Sequence, residues 1–319
     1  MRGTRGIFDE RPSFGAGPPC RNGTGPSLLD DCRARRLSLG VEAAGGGRRH
    51  VQATGAGPMG AVDFEIFVDE LATVSGQAIL PFFRTALGVE DKSRGAVFDP
   101  VTAADRAAEQ AMRALIRRTF PSHGVRGEEF PDEGIDADYV WVLDPIDGTK
   151  SFISGMPAWG TLIGLCRQGQ PVYGMMHQPF IRERFTGDGQ QARYRGPAGD
   201  RRLTVRHCGG LGEAVMMTTS PLLMEEDNRA LYTQVEKRVR LPRYGGDCYA
   251  YCMLAAGHVD LVIETNLNDF DILPLTPIVQ GAGGIVTNWE GGTDLTSGRV
   301  VASGDRRVHD EALSVLNRG

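Results

Sequence analysis

Trp141-Val142-Leu143-Asp144-Pro145-Ile146-Asp147-Gly148-Thr149-Lys150 is the stretch from which the rest of the chain can be placed. Tyr139 to Leu143 is a short β-branched and aromatic run ending at an Asp-Pro pair, the pattern of a buried strand. Its exit carries two carboxylates three residues apart, then Gly148-Thr149, which predicts a helix start or a turn with outward-pointing N–H groups. Backbone donors at such an end attract phosphate, and paired carboxylates attract hard cations such as Mg²⁺. The stretch therefore predicts metal-assisted attack on a phosphate ester. It also reads as a strand followed by an Asx-type turn, for which D-x-x-D-G is common chemistry.

The composition narrows the possibilities. The chain has 319 residues and enough apolar content for one large or two modest domains. The net charge of −5 and the lack of a dominant basic patch argue against a nucleic-acid partner. No apolar run approaches the roughly 18 residues needed to span a bilayer, so no membrane association is expected. The six cysteines show no framework spacing and read as reduced thiols of a cytoplasmic protein. Cys248 and Cys252, four apart on a predicted helix, read as small core side chains because no second Cys/His pair accompanies them.

Residues 1–58 differ from everything after them. They hold nine Arg, no Lys, five acidic residues and many Gly and Pro, which predicts a disordered leader. They lack the apolar core of a secretory signal, and Pro, Gly and Asp30-Asp31 suit an organellar transit peptide poorly. The working protein is expected to begin near Met59. The leader's charge is +4, so residues 59–319 carry −9 against −5 for the whole chain.

Spacing predicts a helix over Asp63–Leu80, ended by Pro81, then a polar mobile loop over Glu90–Phe98 in which Lys92 or Arg94 could meet phosphate. A second helix runs from Asp99-Pro100 to about Thr119, with Thr102 and Asp105 at capping-box spacing. Strands are expected over Thr161–Cys166, Pro171–Met176, Glu183–Thr186, Leu203–Arg206, Ala214–Thr218 and Val259–Ile263, with the last strands at Ile285–Thr287 and Val300–Ala302. Helices are expected over Asp247–Ala256, from Asp271 through Ile278, and over Arg306–Leu316. Alternating elements in both halves, about 59–200 and 201–319, suggest a layered α/β sandwich.

Asp144-Pro145-Ile146-Asp147-Gly148-Thr149, Gly127-Glu128-Glu129 upstream, and Asp271 and Gly281-Ala282-Gly283-Gly284 downstream resemble, in that order, the motifs of the inositol monophosphatase superfamily of Mg²⁺-dependent, lithium-sensitive phosphatases. The resemblance covers roughly residues 60–317 and implies an αβαβα five-layer sandwich. It implies two to three Mg²⁺ ions, with Glu128, Asp144 and the Ile146 carbonyl on the first and Asp144, Asp147 and Asp271 on the second. Thr149 with Glu128 would position and deprotonate the attacking water, Asp105 would orient Thr149, and the Gly148 and Thr149 amides would hold phosphate. Locally, Glu128-Glu129 also reads as a solvated acidic loop, and Asp105 as a cap. Dimers are common in the family, so a homodimer is expected.

The leaving alcohol is the remaining question. Asp247 in Tyr244-Gly245-Gly246-Asp247 stands where inositol phosphatases resemble one another in small apolar or hydroxyl residues. A buried carboxylate is costly unless a cation meets it, and histidinol offers an ammonium and an imidazole where inositol offers none. Ser151-Phe152-Ile153-Ser154-Gly155-Met156-Pro157 and Asn268-Asp269-Phe270-Asp271-Ile272 also resemble the histidinol-phosphate phosphatase branch, and Glu264 matches a position that contacts the alcohol. The expected function is therefore a Mg²⁺-dependent histidinol-phosphate phosphatase of histidine biosynthesis. The alternatives are an inositol-1-monophosphatase or other small phosphomonoesterase and, remotely, a non-catalytic scaffold of the same fold. Two plainer readings also stand: Asp247 as a helix N-cap and Glu264 as a polar strand end.

Overall fold

The computed structural model describes residues 64–85, 89–91 and 100–318, with backbone only at 89–91 and 100–102. The predicted leader, its boundary at Met59, and Lys92 and Arg94 lie outside the described residues. The chain opens with helix α1 (Phe64–Ile79), a short antiparallel ladder of β1 (Val89–Asp91) and β2 (Pro100–Thr102), and helix α2 (Ala103–Thr119). Seven strands follow: β3 (Gly124–Gly127), β4 (Tyr139–Asp147), β5 (Gly160–Arg167), β6 (Gln170–Gln178), β7 (Glu183–Gly187), β8 (Ala192–Gly196) and β9 (Gly199–Arg202), with the short helix α3 (Thr149–Ile153) between β4 and β5. They form one sheet in sequence order, antiparallel throughout except for the parallel β3–β4 pair.

The second half contains β10 (Val215–Thr218), α4 (Glu226–Glu236), β11 (Leu241–Tyr244), α5 (Asp247–Ala255), β12 (Leu261–Glu264), α6 (Asp269–Ile272), α7 (Thr276–Gly281), β13 (Ile285–Asn288), β14 (Val300–Ser303) and α8 (Arg306–Leu316). Its five strands are ordered β11-β10-β12-β14-β13.

The layers follow from side-chain alternation. On β5 and β6, Ile163, Leu165 and Met175 face α1 and α2, packing with Phe67, Leu71, Met112 and Ile116. Their neighbours Leu162 and Met176 face the other way, into a core shared with Tyr251 and Leu254 of α5, Ile278 and Val279 of α7, and Val262, Val300 and Ala302 of the second sheet. On the far face, Leu261, Ile263 and Val301 pack with Tyr232 and Val235 of α4 and Val308 and Ala312 of α8. Because residues one apart on a strand point to opposite faces, both sheets are covered on both sides. The result is a five-layer αβαβα sandwich. Trp141, fully buried in the first core, would cost about 3–5 kcal/mol if cut to Ala.

Several sequence expectations change. Leu203–Arg206 is not a strand; it crosses between the sheets, and its Leu203 and Val205 N–H groups donate singly to Ala192 and Ala282 instead of building a ladder. The single helix expected from Asp271 through Ile278 is two, α6 and α7, divided by a stretch containing Pro274. The loop expected from Glu90 begins in strand β1. Strand β2 occupies Pro100–Thr102, where the second helix was expected to begin, and that helix starts at Ala103; strands β3, β8, β9 and β11 and helix α4 were also not anticipated. The described cysteines, Cys166, Cys208, Cys248 and Cys252, are free and buried. No helix among the described residues is long and apolar enough to cross a membrane.

Candidate active site

β4 delivers the first two carboxylates, and a register slip aims them. Asp144 pairs with Leu162 and Asp147 with Gly160, so three steps on β4 oppose two on β5. In an unbroken strand, residues three apart would point to opposite faces; one extra residue brings them to the same side. Pro145, with no N–H to give the ladder, sits in this bulge, and the Thr161 hydroxyl pins its carbonyl at 2.8 Å. Gly148 follows at φ 85°, where an added Cβ would lie 2.9 Å from the Ala158 carbonyl, so glycine is required. α3 then begins at Thr149, with its first amides open at the N-terminal end.

Asp271, from the first turn of α6, completes the cluster. One carboxylate oxygen from each of Asp144, Asp147 and Asp271 lies within 4.8 Å of the other two. An Asn268 N–H holds Asp271 Oδ2 at 2.7 Å. The Glu128 N–H bonds the Leu143 carbonyl at 3.3 Å, extending the β3–β4 pairing by one residue and setting Glu128 beside Asp144. Asp105 stands buried in the first turn of α2.

The electrostatics are those of a site built for cations. Asp144 is 2% exposed, and its Oδ1 has no hydrogen-bond partner among the described residues. Burial, then the charges of Glu128, Asp147, Asp271 and Asp105, push its carboxyl well above the usual range. Asp147 is raised by burial and by the charges of Asp247 and Asp271, partly offset by the Cys248 N–H, which donates to it at 2.6 Å. Carboxylates so placed cannot all ionise without counter-charge. An all-oxygen set with an unpartnered buried carboxylate oxygen suits Mg²⁺.

The Thr149 hydroxyl donates to the Ile146 carbonyl at 3.2 Å, joining two of the groups assigned from the sequence to one another.

A second polar group adjoins the first. Asp247 is the first residue of α5, at φ 42°, and no side chain caps that helix, so the N-cap reading of Asp247 is overturned. Its carboxylate instead accepts from Ser151 Oγ at 3.2 Å, with the Thr219 hydroxyl nearby. Burial raises its pKa, against the pull of those hydroxyls and Lys150. Glu264 is 5% exposed and accepts from Thr218 Oγ1 at 2.9 Å and from Thr219 N and Oγ1 at 2.6 and 2.9 Å. Burial carries it up to about 7 despite those donors. Tyr251, one turn beyond Asp247, buries a hydroxyl with no hydrogen-bond partner among the described residues, and the charges of Glu264, Asp147 and Asp271 raise its pKa further.

Sequence reasoning missed Thr218, Thr219, Tyr251 and the Glu109–Arg113 pair. Only the last had a readable signal: Asp105, Glu109 and Arg113 recur every four residues on the face of α2 that also carries Ala108 and Met112.

The model of the inositol monophosphatase family matches residues 63–318. A bifunctional phosphatase, IMPL2, chloroplastic, of Arabidopsis thaliana is 44% identical over 258 residues, covering 77% of this chain and 72% of that one. A histidinol-phosphatase of Mycobacterium tuberculosis is 34% identical, covering 69% and 85%. Among solved structures, an inositol monophosphatase from Zymomonas mobilis is 40% identical with a TM-score of 0.70, covering 79% of this chain and 96% of that one.

Proposed function

The chain belongs to the inositol monophosphatase family, and on that premise we propose that it is a Mg²⁺-dependent histidinol-phosphate phosphatase. Asp144, Asp147, Asp271, Glu128 and the Ile146 carbonyl would hold the metal. Bound Mg²⁺ supplies charge neutralisation on the phosphate and acidifies water. Glu128 and Thr149, with Asp105 behind them, orient the attacking water and accept its proton. The Gly148 and Thr149 amides bind the phosphate oxygens. Water oxygen adds to phosphorus as the ester P–O bond breaks, and the departing alkoxide takes up a proton, giving free alcohol and phosphate.

The observation that carries the substrate assignment is the pair of carboxylates beside the acidic cluster, Asp247 and Glu264, close enough that the charge of Asp247 helps raise the Glu264 carboxyl. Two carboxylates facing an alcohol favour a cationic one, and histidinol carries an ammonium. The 34% identity to a histidinol-phosphatase supports the same reading. Free, buried cysteines agree with a cytoplasmic setting, and we expect a homodimer, which light scattering would check.

A panel of phosphomonoesters with Mg²⁺, ranked by kcat/KM, tests the proposal. Histidinol phosphate should lead, with inositol 1-phosphate and glycerol phosphate well below it. Inositol phosphate in first place would reassign the substrate. Phosphate release that persists in EDTA would remove the metal chemistry altogether.

A further inference from the structure

Beneath the loop that carries Glu128 lies a fully buried ion pair. Glu109 is 0% exposed and Arg113 2%, and Arg113 Nε donates to Glu109 Oε1 at 2.7 Å. The other oxygen, Glu109 Oε2, accepts the Glu129 N–H at 2.8 Å. Arg113 Nη2 reaches the Phe130 carbonyl at 3.0 Å and Nη1 reaches Glu133 at 3.2 Å. The Glu133 backbone is tied back to Val125 of β3 by two bonds, 2.7 and 2.9 Å. On the near side, a Cβ on Gly127 would sit 2.2 Å from Glu109 Oε1. Glycine at 127 is what lets the carboxylate come this close.

Glu128 is thus bracketed. Its own N–H is fixed on Leu143, the residue before it leaves room for Glu109, and the next two residues are bonded to Glu109 and Arg113. A buried ion pair is a poor way to gain stability, since an apolar pair of similar volume commonly does as well or better. What an apolar pair cannot do is hold a backbone N–H and a backbone carbonyl at fixed points.

We propose that Glu109 and Arg113 are positioning residues that set Glu128 against Asp144 and so tune the cation affinity of the acidic cluster. The proposal rests on the reading of Glu128 as a cation-binding group. A partner that orients a metal ligand typically changes affinity 10- to 100-fold when lost, and action through the backbone places the effect near the lower figure.

The test uses the full chain and reads Mn²⁺ binding by electron paramagnetic resonance without substrate, together with the half-activating Mg²⁺ concentration and Tm. Glu109→Gln should raise the Mn²⁺ Kd and the half-activating Mg²⁺ about tenfold. Gly127→Ala, which keeps both charges but crowds the carboxylate, should move both in the same direction. The decisive protein is the double variant E109L/R113L. It should recover most of the Tm lost by the single variants, because no charge is left unpaired, yet bind Mn²⁺ about tenfold more weakly than the parent. Affinity that returns along with stability would mean that the pair is only structural and would overturn the inference, as would a folded Glu109→Gln protein with parental Mn²⁺ affinity. Glu128→Gln in the same assay separates the two levels. If it weakens Mn²⁺ binding while Glu109→Gln does not, the site reading stands and this inference falls; if neither moves it, both fall.

Discussion

The acidic cluster on β4 and the polar group beside it, on α5 and β12, are both built from carboxylates, yet they treat them in opposite ways. Asp144 is left with an oxygen that no described group meets, among four other acids. Glu264, equally buried, has three hydroxyl and amide donors on its two oxygens. Desolvation raises the pKa of both, but repulsion adds to it at Asp144, whereas hydrogen bonds subtract from it at Glu264. A buried carboxylate oxygen that meets no donor, as on Asp144, is suited to a strong cation, and a donor-satisfied carboxylate to a weaker, shaped one.

The sharpest way to break this contrast is Asp144→Asn, which should abolish turnover at ordinary Mg²⁺. In the metal-free protein it should also raise Tm, because it removes repulsion. Substantial residual phosphate release would undo the assignment of the first region. Asp271→Asn should come next, with turnover much reduced but partly restored as Mg²⁺ is raised in a titration. A loss that Mg²⁺ cannot recover would make Asp271 a structural cap of α6, the role its bond to the Asn268 N–H also serves.

The second region is probed by Asp247→Asn. Loss of a charge-assisted hydrogen bond of roughly 1.5–3 kcal/mol would lower kcat/KM for histidinol phosphate about ten- to hundredfold. Glycerol phosphate, lacking the cation, should be cleaved as before. Equal losses on both esters would remove the substrate assignment and leave the phosphatase chemistry standing.

The smallest effect concerns Glu264 and pH. Its folded pKa is about 7, against 4.5 for an ordinary glutamate, so between those values the native state holds a proton that the unfolded chain has released. Stability is full below the unfolded value and declines as pH rises through the folded one, flattening above it. Chemical denaturation of the metal-free protein from pH 5 to 8 should show that decline, shallower in Glu264→Gln. An unchanged slope would mean that the acidic cluster alone sets it.

What the sequence showed of this contrast is uneven, for physical reasons. β4 was legible because β-branched and aromatic residues, a proline and a Gly-Thr occur in one short run, and the acids it bears are local. Asp247 misled in one reading because aspartate favours N-caps, while the positive φ that denies it that role is set by tertiary packing. Thr218 and Thr219 gave no signal, since only the parallel β10–β12 pairing brings them to Glu264. β8 was hidden because its alternation is carried by Arg193 and Arg195 facing outward between Gly-rich turns. The break between α6 and α7 has a local signal in Pro274 and Pro277, which fall inside the single helix expected from Asp271 through Ile278.

The bond from the Cys248 N–H to Asp147 has a spectroscopic consequence. A 2.6 Å amide-to-carboxylate bond deshields its proton, so the Cys248 resonance should stand downfield of the other α5 amides in a ¹⁵N-correlated NMR spectrum. A divalent ion drawing on the same carboxylate would weaken that bond and move the peak upfield. One backbone amide, at the start of a helix in the second half of the chain, therefore reports occupancy at a carboxylate contributed by the first.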